Sequence, residues 1–171
     1  MHNIDMTNTN TKTKKTSGSA RLTFLQPQDN SLENIYICDI DGTLAIMGDR
    51  SPYNWSKVSI DTPNFHVCKI IKSLLATGAK VIFLSGRDEA CREETQKWIF
   101  QALGTYEFNL FMRPKNDYRA DTIIKKEIYK KEIQDKYFVE CVFDDRPSVC
   151  RMWRQEIGLN VVHIGNPDME F

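Results

Sequence analysis

The chain has 171 residues, 41% hydrophobic and 27% charged, with 23 Lys and Arg against 23 Asp and Glu. That composition can bury a core, which excludes a wholly disordered chain, and a net charge of zero argues against coating nucleic acid through bulk charge. No apolar run reaches bilayer-spanning length, and the polar start lacks the apolar stretch of a secretory signal. In chain order, residues 1–33 read as a flexible polar tail, because Thr, Asn, Ser and Lys dominate residues 7–19 and hydrophobic periodicity is absent. Leu22–Leu25 is at most a short edge strand. Residues 34–171 read as one domain. Strands are expected at Ile35–Ile40, Lys80–Leu84, Phe108–Met112, Phe138–Phe143 and Asn160–Ile164, all rich in β-branched and aromatic residues. Helices fill the gaps. Thr62–Thr77 opens with Thr62 as N-cap and Pro63 at the first position, and stops at Gly78. Asp88–Leu103 ends at Gly104, Ala120–Ile133 follows, and Pro147–Ile157 closes at Gly158. Strand–helix repetition of this length predicts right-handed crossovers and an α/β, Rossmann-like fold on a mainly parallel sheet. Five cysteines without zinc-type spacing read as reduced, buried thiols of an intracellular protein.

In such sheets ligands bind beyond the carboxyl ends of the strands. Four polar clusters fall there: Asp39-Ile40-Asp41-Gly42-Thr43, Ser85-Gly86-Arg87, the Asp121 and Lys125 pair, and Asp144-Asp145-Arg146. Asp39 and Asp41 alternate to one side, and Asp144 and Asp145 leave a second strand at the same edge. Carboxylates converging in a crevice repel, and a hard divalent cation with oxygen ligands removes the conflict; Mg2+ suits a shell that a substrate phosphate completes. The hydroxyl of Ser85, the guanidinium of Arg87 and the ammonium of Lys125 would bind a phosphoryl group. Asp121, four residues before Lys125 on one helix face, would orient that ammonium.

Asp39-Ile40-Asp41-Gly42-Thr43-Leu44 matches the DxDGT motif of the haloacid dehalogenase (HAD) superfamily of phosphotransferases, and Ser85, Lys125 and the Asp144-Asp145 pair follow in that superfamily's order. Asp49-Arg50-Ser51-Pro52-Tyr53, Arg113-Pro114, Asp117-Tyr118-Arg119 and Met152-Trp153-Arg154 further resemble the phosphatase domain of phage-type polynucleotide kinase-phosphatases. The resemblance runs from Ile35 to the C-terminus and implies a three-layer HAD sandwich with no large cap domain. It implies Asp39 as nucleophile, forming an aspartyl-phosphate, and Asp41 as general acid and then base. Mg2+ would be held by the Asp39 carboxylate, the Asp41 main-chain carbonyl, and Asp144 or Asp145. Ser85 and Lys125 would bind phosphoryl oxygens. Arg50, Arg87, Thr43 and Asp121 join the substrate-binding set, with Asp121 fixing Lys125.

The segment Ala45–Ile60 is too short for a cap, so the crevice stays open and can admit a polymer end. That agrees with the substrate the resemblance implies, a 3′-phosphorylated polynucleotide, DNA or RNA, in nucleic-acid repair. The alternatives are a phosphatase of free nucleotides or other small esters, and a catalytically dead module that binds ends. Basic residues (Arg50, Arg113, Lys115, Arg119, Lys126, Lys130) interleave with Tyr53, Trp55 and Tyr118, which could stack on bases. The Lys125–Lys131 run reads equally well as a solvated helix face. Trp98 and Trp153 read as core, and His66 and His163 as structural. No GxxxxGK[ST] stretch occurs, so the phosphate-cradling loop of a kinase is missing; a separate kinase or ligase partner is left open, as is oligomerisation, and no membrane association is expected.

Overall fold

The computed structural model describes residues 27–51, 54–166 and 168. Leu22–Leu25 and Tyr53 lie outside the described residues. Among the described residues seven strands form: β1 (Glu33–Cys38), β2 (Ala45–Ile46), β3 (Thr62–Pro63), β4 (Lys80–Asp88), β5 (Asn109–Arg113), β6 (Tyr137–Asp144) and β7 (Val161–His163). Five of them make one sheet in the order β5-β4-β1-β6-β7, with every pairing parallel. The chain leaves β1 for β4 on one side and later returns to β6 on the other. The crevice at the carboxyl end of β1 is thus the topological switch point at which such sheets bind ligands.

Strand alternation feeds both faces. Cys38, Val81 and Phe83 pack with Val67, Cys68 and Ile71 of α1 (Phe65–Ala76) and Trp98 and Ile99 of α2 (Arg92–Leu103). Ile35, Ile37, Ile82 and Leu84 pack on the opposite face, with Tyr129 of α3 (Asp121–Glu132) and Val149 of α4 (Pro147–Arg151). The result is the expected three-layer α/β sandwich. A fully buried aliphatic such as Ile71 contributes about 1.5–3 kcal/mol.

Three boundaries differ from expectation. Thr62 and Pro63 pair antiparallel with Ile46 and Ala45 instead of opening a helix. Their backbones are held by that ladder, and α1 starts only after Asn64, whose side chain donates to the Thr43 carbonyl at 3.0 Å. β4 runs on to Asp88 through an irregularity between Ser85 and Asp88, and a 3-10 turn (Glu89–Cys91) separates it from α2. Asp88 caps that turn by accepting from the Ala90 amide at 2.8 Å. The last helix widens into a π turn over Met152–Ile157 before Gly158 at φ 92°. Within the stretch read as tail, the Gln28 side-chain amide accepts from the Val139 N–H at 2.7 Å and donates to its carbonyl at 3.0 Å. Between β2 and β3 the described residues hold one short 3-10 helix, Trp55–Ile60, which is not a cap domain. No described helix is long and apolar enough to cross a membrane. All five cysteines are free, and four of them are buried.

Candidate active site

Two adjacent parallel strands deliver the acids. Asp39 directly follows β1 and continues its ladder, donating its amide to the Phe143 carbonyl at 2.9 Å. Asp144 ends β6, and Asp145 comes next. One carboxylate oxygen from each of Asp39, Asp144 and Asp145 lies within 4.8 Å of the others, and all three residues are buried. That spread is close to the roughly 4.2 Å between opposite ligands of one Mg2+. An all-carboxylate, hard-oxygen donor set of this size fits Mg2+. The Asp41 carboxylate is not in the trio, so the expected role of Asp41 in the metal shell is open only to its main-chain carbonyl.

Lys125, on the first turns of α3, reaches into this trio. Its ammonium lies 2.8 Å from Asp39 Oδ1 and 2.8 Å from Asp144 Oδ2, and the residue is 3% exposed. Burial pulls its pKa down, but Asp144 and Asp39 outweigh burial, so the group ends above its ordinary value and stays charged. Burial pushes the Asp39 carboxyl well up, with Lys125 opposing and Asp144 and Asp145 reinforcing. Asp145 is raised mainly by burial and then by Asp144. One ammonium does not balance three buried carboxylates, which is the electrostatic case for a divalent cation here.

Several expected residues sit differently from their assigned roles. Asp121 does not pair with Lys125; its carboxylate is taken by Arg113 and Arg146, and it reaches Lys125 only through its field. Thr43 is fully buried and donates to Asp145 Oδ1 at 3.2 Å, so it orients an acid of the trio. Ser85 is fully buried, with Oγ accepting from the Arg87 amide at 3.2 Å. Arg87 is fully buried: Nη2 donates to Asp41 Oδ1 and Asp61 Oδ2, each at 2.7 Å, and Nε to Asp41 Oδ2 at 3.0 Å. Arg50 Nη2 meets the same two acids at 2.8 and 2.6 Å. The two arginines expected on the substrate therefore clamp Asp41 against a second acid, Asp61, and Arg50 leaves the list of surface cations.

Asp61 carries no signal in the sequence, where it only precedes the helix expected to open at Thr62. It is 5% exposed, and its carbonyl accepts from Trp98 Nε1 at 2.8 Å. Trp153, read as core alone, is buried but also donates Nε1 to Asp144 Oδ2 at 3.3 Å. His163 Nε2 lies 2.7 Å from the Asp145 carbonyl. An indole inside a helix carries no sequence signal that its N–H points at a carboxylate. Above these groups opens a cavity of about 690 Å3, with Asp39, Asp41, Lys125 and Asp145 among its lining residues.

A parallel sheet with acids at its switch point, an ammonium bridging two of them, and no folded cap among the described residues define the class as a HAD-like phosphatase fold. The chain belongs to the polynucleotide kinase PNKP phosphatase domain family, whose model matches residues 33–169. Among solved structures, it is 42% identical to a chain of the Pnkp1/Rnl/Hen1 complex at a TM-score of 0.79, covering 91% of this chain and 52% of that one. A chain of the Pnkp1/Rnl/Hen1 RNA repair complex is 43% identical with a TM-score of 0.80, covering 91% and 48%. The class C acid phosphatase from Bacillus anthracis, 14% identical at a TM-score of 0.54 and covering 82% and 69%, shares the fold. A protein of Autographa californica nuclear polyhedrosis virus, named for polynucleotide kinase and RNA ligase activities, is 35% identical over 133 residues, 77% of this chain and 19% of that one. The chain thus spans about half the length of the first two structures' chains and a fifth of the viral protein.

Proposed function

We propose that this domain removes the 3′-phosphate from polynucleotide ends, with RNA the first candidate, through an aspartyl-phosphate on Asp39. The observation that carries the proposal is the buried Asp39 carboxylate, tethered by Lys125 at the floor of a solvent-open cavity in a chain of this family. Asp39 attacks phosphorus; the bond to the 3′ oxygen breaks, and Asp41 gives that oxygen a proton. Asp41 then takes a proton from the water that hydrolyses the acyl phosphate. The Arg50 and Arg87 guanidiniums fix the Asp41 carboxylate for both transfers. Lys125 holds Asp39 in place and offsets charge as phosphate approaches. Asp39, Asp144 or Asp145 and the Asp41 carbonyl would hold Mg2+, which would offset the negative charge that nucleophile and phosphate bring together. The likeness to chains of an RNA repair complex and to a protein named for polynucleotide kinase and RNA ligase activities supports RNA ends as substrate and a kinase and a ligase as partners.

Phosphate release from 3′-phosphate RNA and DNA oligomers is the test, with Mg2+ or chelator, beside 5′-phosphate oligomers and nucleoside 3′-monophosphates. Mg2+-dependent release confined to 3′-phosphate oligomers is expected, and Asp39→Asn should abolish it. Stronger turnover of mononucleotides would assign the small-ester reading instead, and no release from any ester would leave an end-binding module.

A further inference from the structure

The six consecutive residues from Asn116 to Asp121 line the cavity, and in their midst Tyr118 is 87% exposed. An exposed aromatic on a loose loop needs no explanation; this loop is tied down. Arg113 Nη1 donates to the carbonyls of Asp117 at 2.9 Å and Arg119 at 2.6 Å, which are the residues on either side of Tyr118. Asn116, at φ 61°, donates its amide to Asp88 Oδ2 at 2.9 Å, and Asp117 donates its own to the Pro114 carbonyl at 3.1 Å. The Asp117 carboxylate accepts from the Arg119 amide and guanidinium. Six residues, Asp88, Arg113, Pro114, Asn116, Asp117 and Arg119, thus tie down the segment on either side of a largely exposed tyrosine that lines the cavity. Trp55 lines the same cavity.

The cavity is larger than a phosphoryl group needs. At about 690 Å3 it falls within the roughly 300–1,000 Å3 range of pockets that enclose drug-sized molecules. With the phosphoryl group at Asp39 on the floor, the remaining volume falls to the nucleoside that carries it. A tyrosine on a fixed backbone has only its two side-chain torsions to lose when a flat partner stacks on its ring, and every nucleobase has such a face.

On the reading that the substrate is a 3′-phosphorylated polynucleotide, we propose that Tyr118 is a substrate-binding residue on which the base of the 3′-terminal nucleotide stacks, whatever its sequence. The contact is made equally in ground and transition states, so its loss raises KM and spares kcat.

The experiment uses the full chain and 3′-phosphate RNA oligomers whose terminal nucleotide is either normal or abasic. Tyr118→Ala is expected to raise KM for the normal oligomer by at least about 5-fold with kcat within about 2-fold, the lower end of what losing one stacked base gives. Tyr118→Phe should retain wild-type KM, because the ring and not the hydroxyl does the stacking. Removing the terminal base should raise the wild-type KM by a similar factor, and the two changes together should not multiply. Unchanged KM in Tyr118→Ala, or effects of ring and base that multiply independently, would overturn the proposal and leave Tyr118 to a protein partner or to solvent. Wild-type inactivity on every 3′-phosphate oligomer would sink the proposed function itself, a result read before any variant is made.

Discussion

Gly42 is fixed twice over. Its φ of +83° lies in the left-handed region, and a Cβ built there would sit 1.9 Å from Asp145 Oδ2. The missing side chain is what lets the loop after Asp39 pass against the acid from the neighbouring strand. Gly42→Ala is therefore expected to displace Asp145 and cut turnover about 100-fold or more, the cost of a misplacement on the order of 1 Å at a catalytic group. It should also remove the Mg2+-induced rise in Tm; a variant with wild-type turnover and a wild-type Mg2+ response would show that the close approach is dispensable. Gly86 obeys the same logic more mildly, since its Cβ would lie 2.7 Å from Asp121 Oδ1.

At the scale of elements, the irregular end of β4 and the short β2–β3 pair bring together four charges distant in sequence. Asp41, Arg50, Asp61 and Arg87 balance two against two, and three of them are nearly sealed from solvent. Asp61 is not among the residues lining the cavity above Asp39; it is a positioning residue that acts through both arginines on Asp41. Asp61→Ala leaves two buried guanidiniums sharing one carboxylate, and a broken buried pair costs about 3–5 kcal/mol. Denaturant unfolding should register that loss. Asp61→Asn, which keeps shape and one acceptor, should be milder in stability yet still lower kcat with little change in KM. Equal kcat in Asp61→Asn would show that the arginines alone suffice to aim Asp41.

For the whole molecule the acidic trio couples metal, protons and stability. Burial raises the Asp39 and Asp145 carboxyls above their ordinary values, whereas in the unfolded chain aspartates titrate near 3.9. Above that pH the metal-free folded protein holds protons that the unfolded chain has released. Stability of the metal-free protein therefore falls as pH rises through the folded-state values. A bound cation displaces those protons, so metal stabilisation grows over the same range. The Tm increment from saturating Mg2+ is expected to be larger at about pH 8 than at about pH 5.5, read by thermal unfolding with chelator as reference; the reverse order would mean that the trio is already ionised without metal.

Local pattern alone laid out the parallel sheet, both core faces and the four clusters at the strand ends. Alternation of Ile35 and Ile37 against Tyr36 and Cys38 is written in neighbouring residues, and so is the spacing that puts Asp39 and Asp144 at one sheet edge. Which partner each polar group takes is settled by contacts across the fold. Asp121 and Lys125 lie one helical turn apart, yet Lys125 finds Asp39 and Asp144, while Asp121 finds Arg113 and Arg146. Arg50 and Arg87 look like substrate binders in sequence and become clamps because Asp61, from another segment, completes their cage. Burial decides these choices: a charge removed from water must take the nearest counter-charge in three dimensions, and only the folded chain determines which one that is.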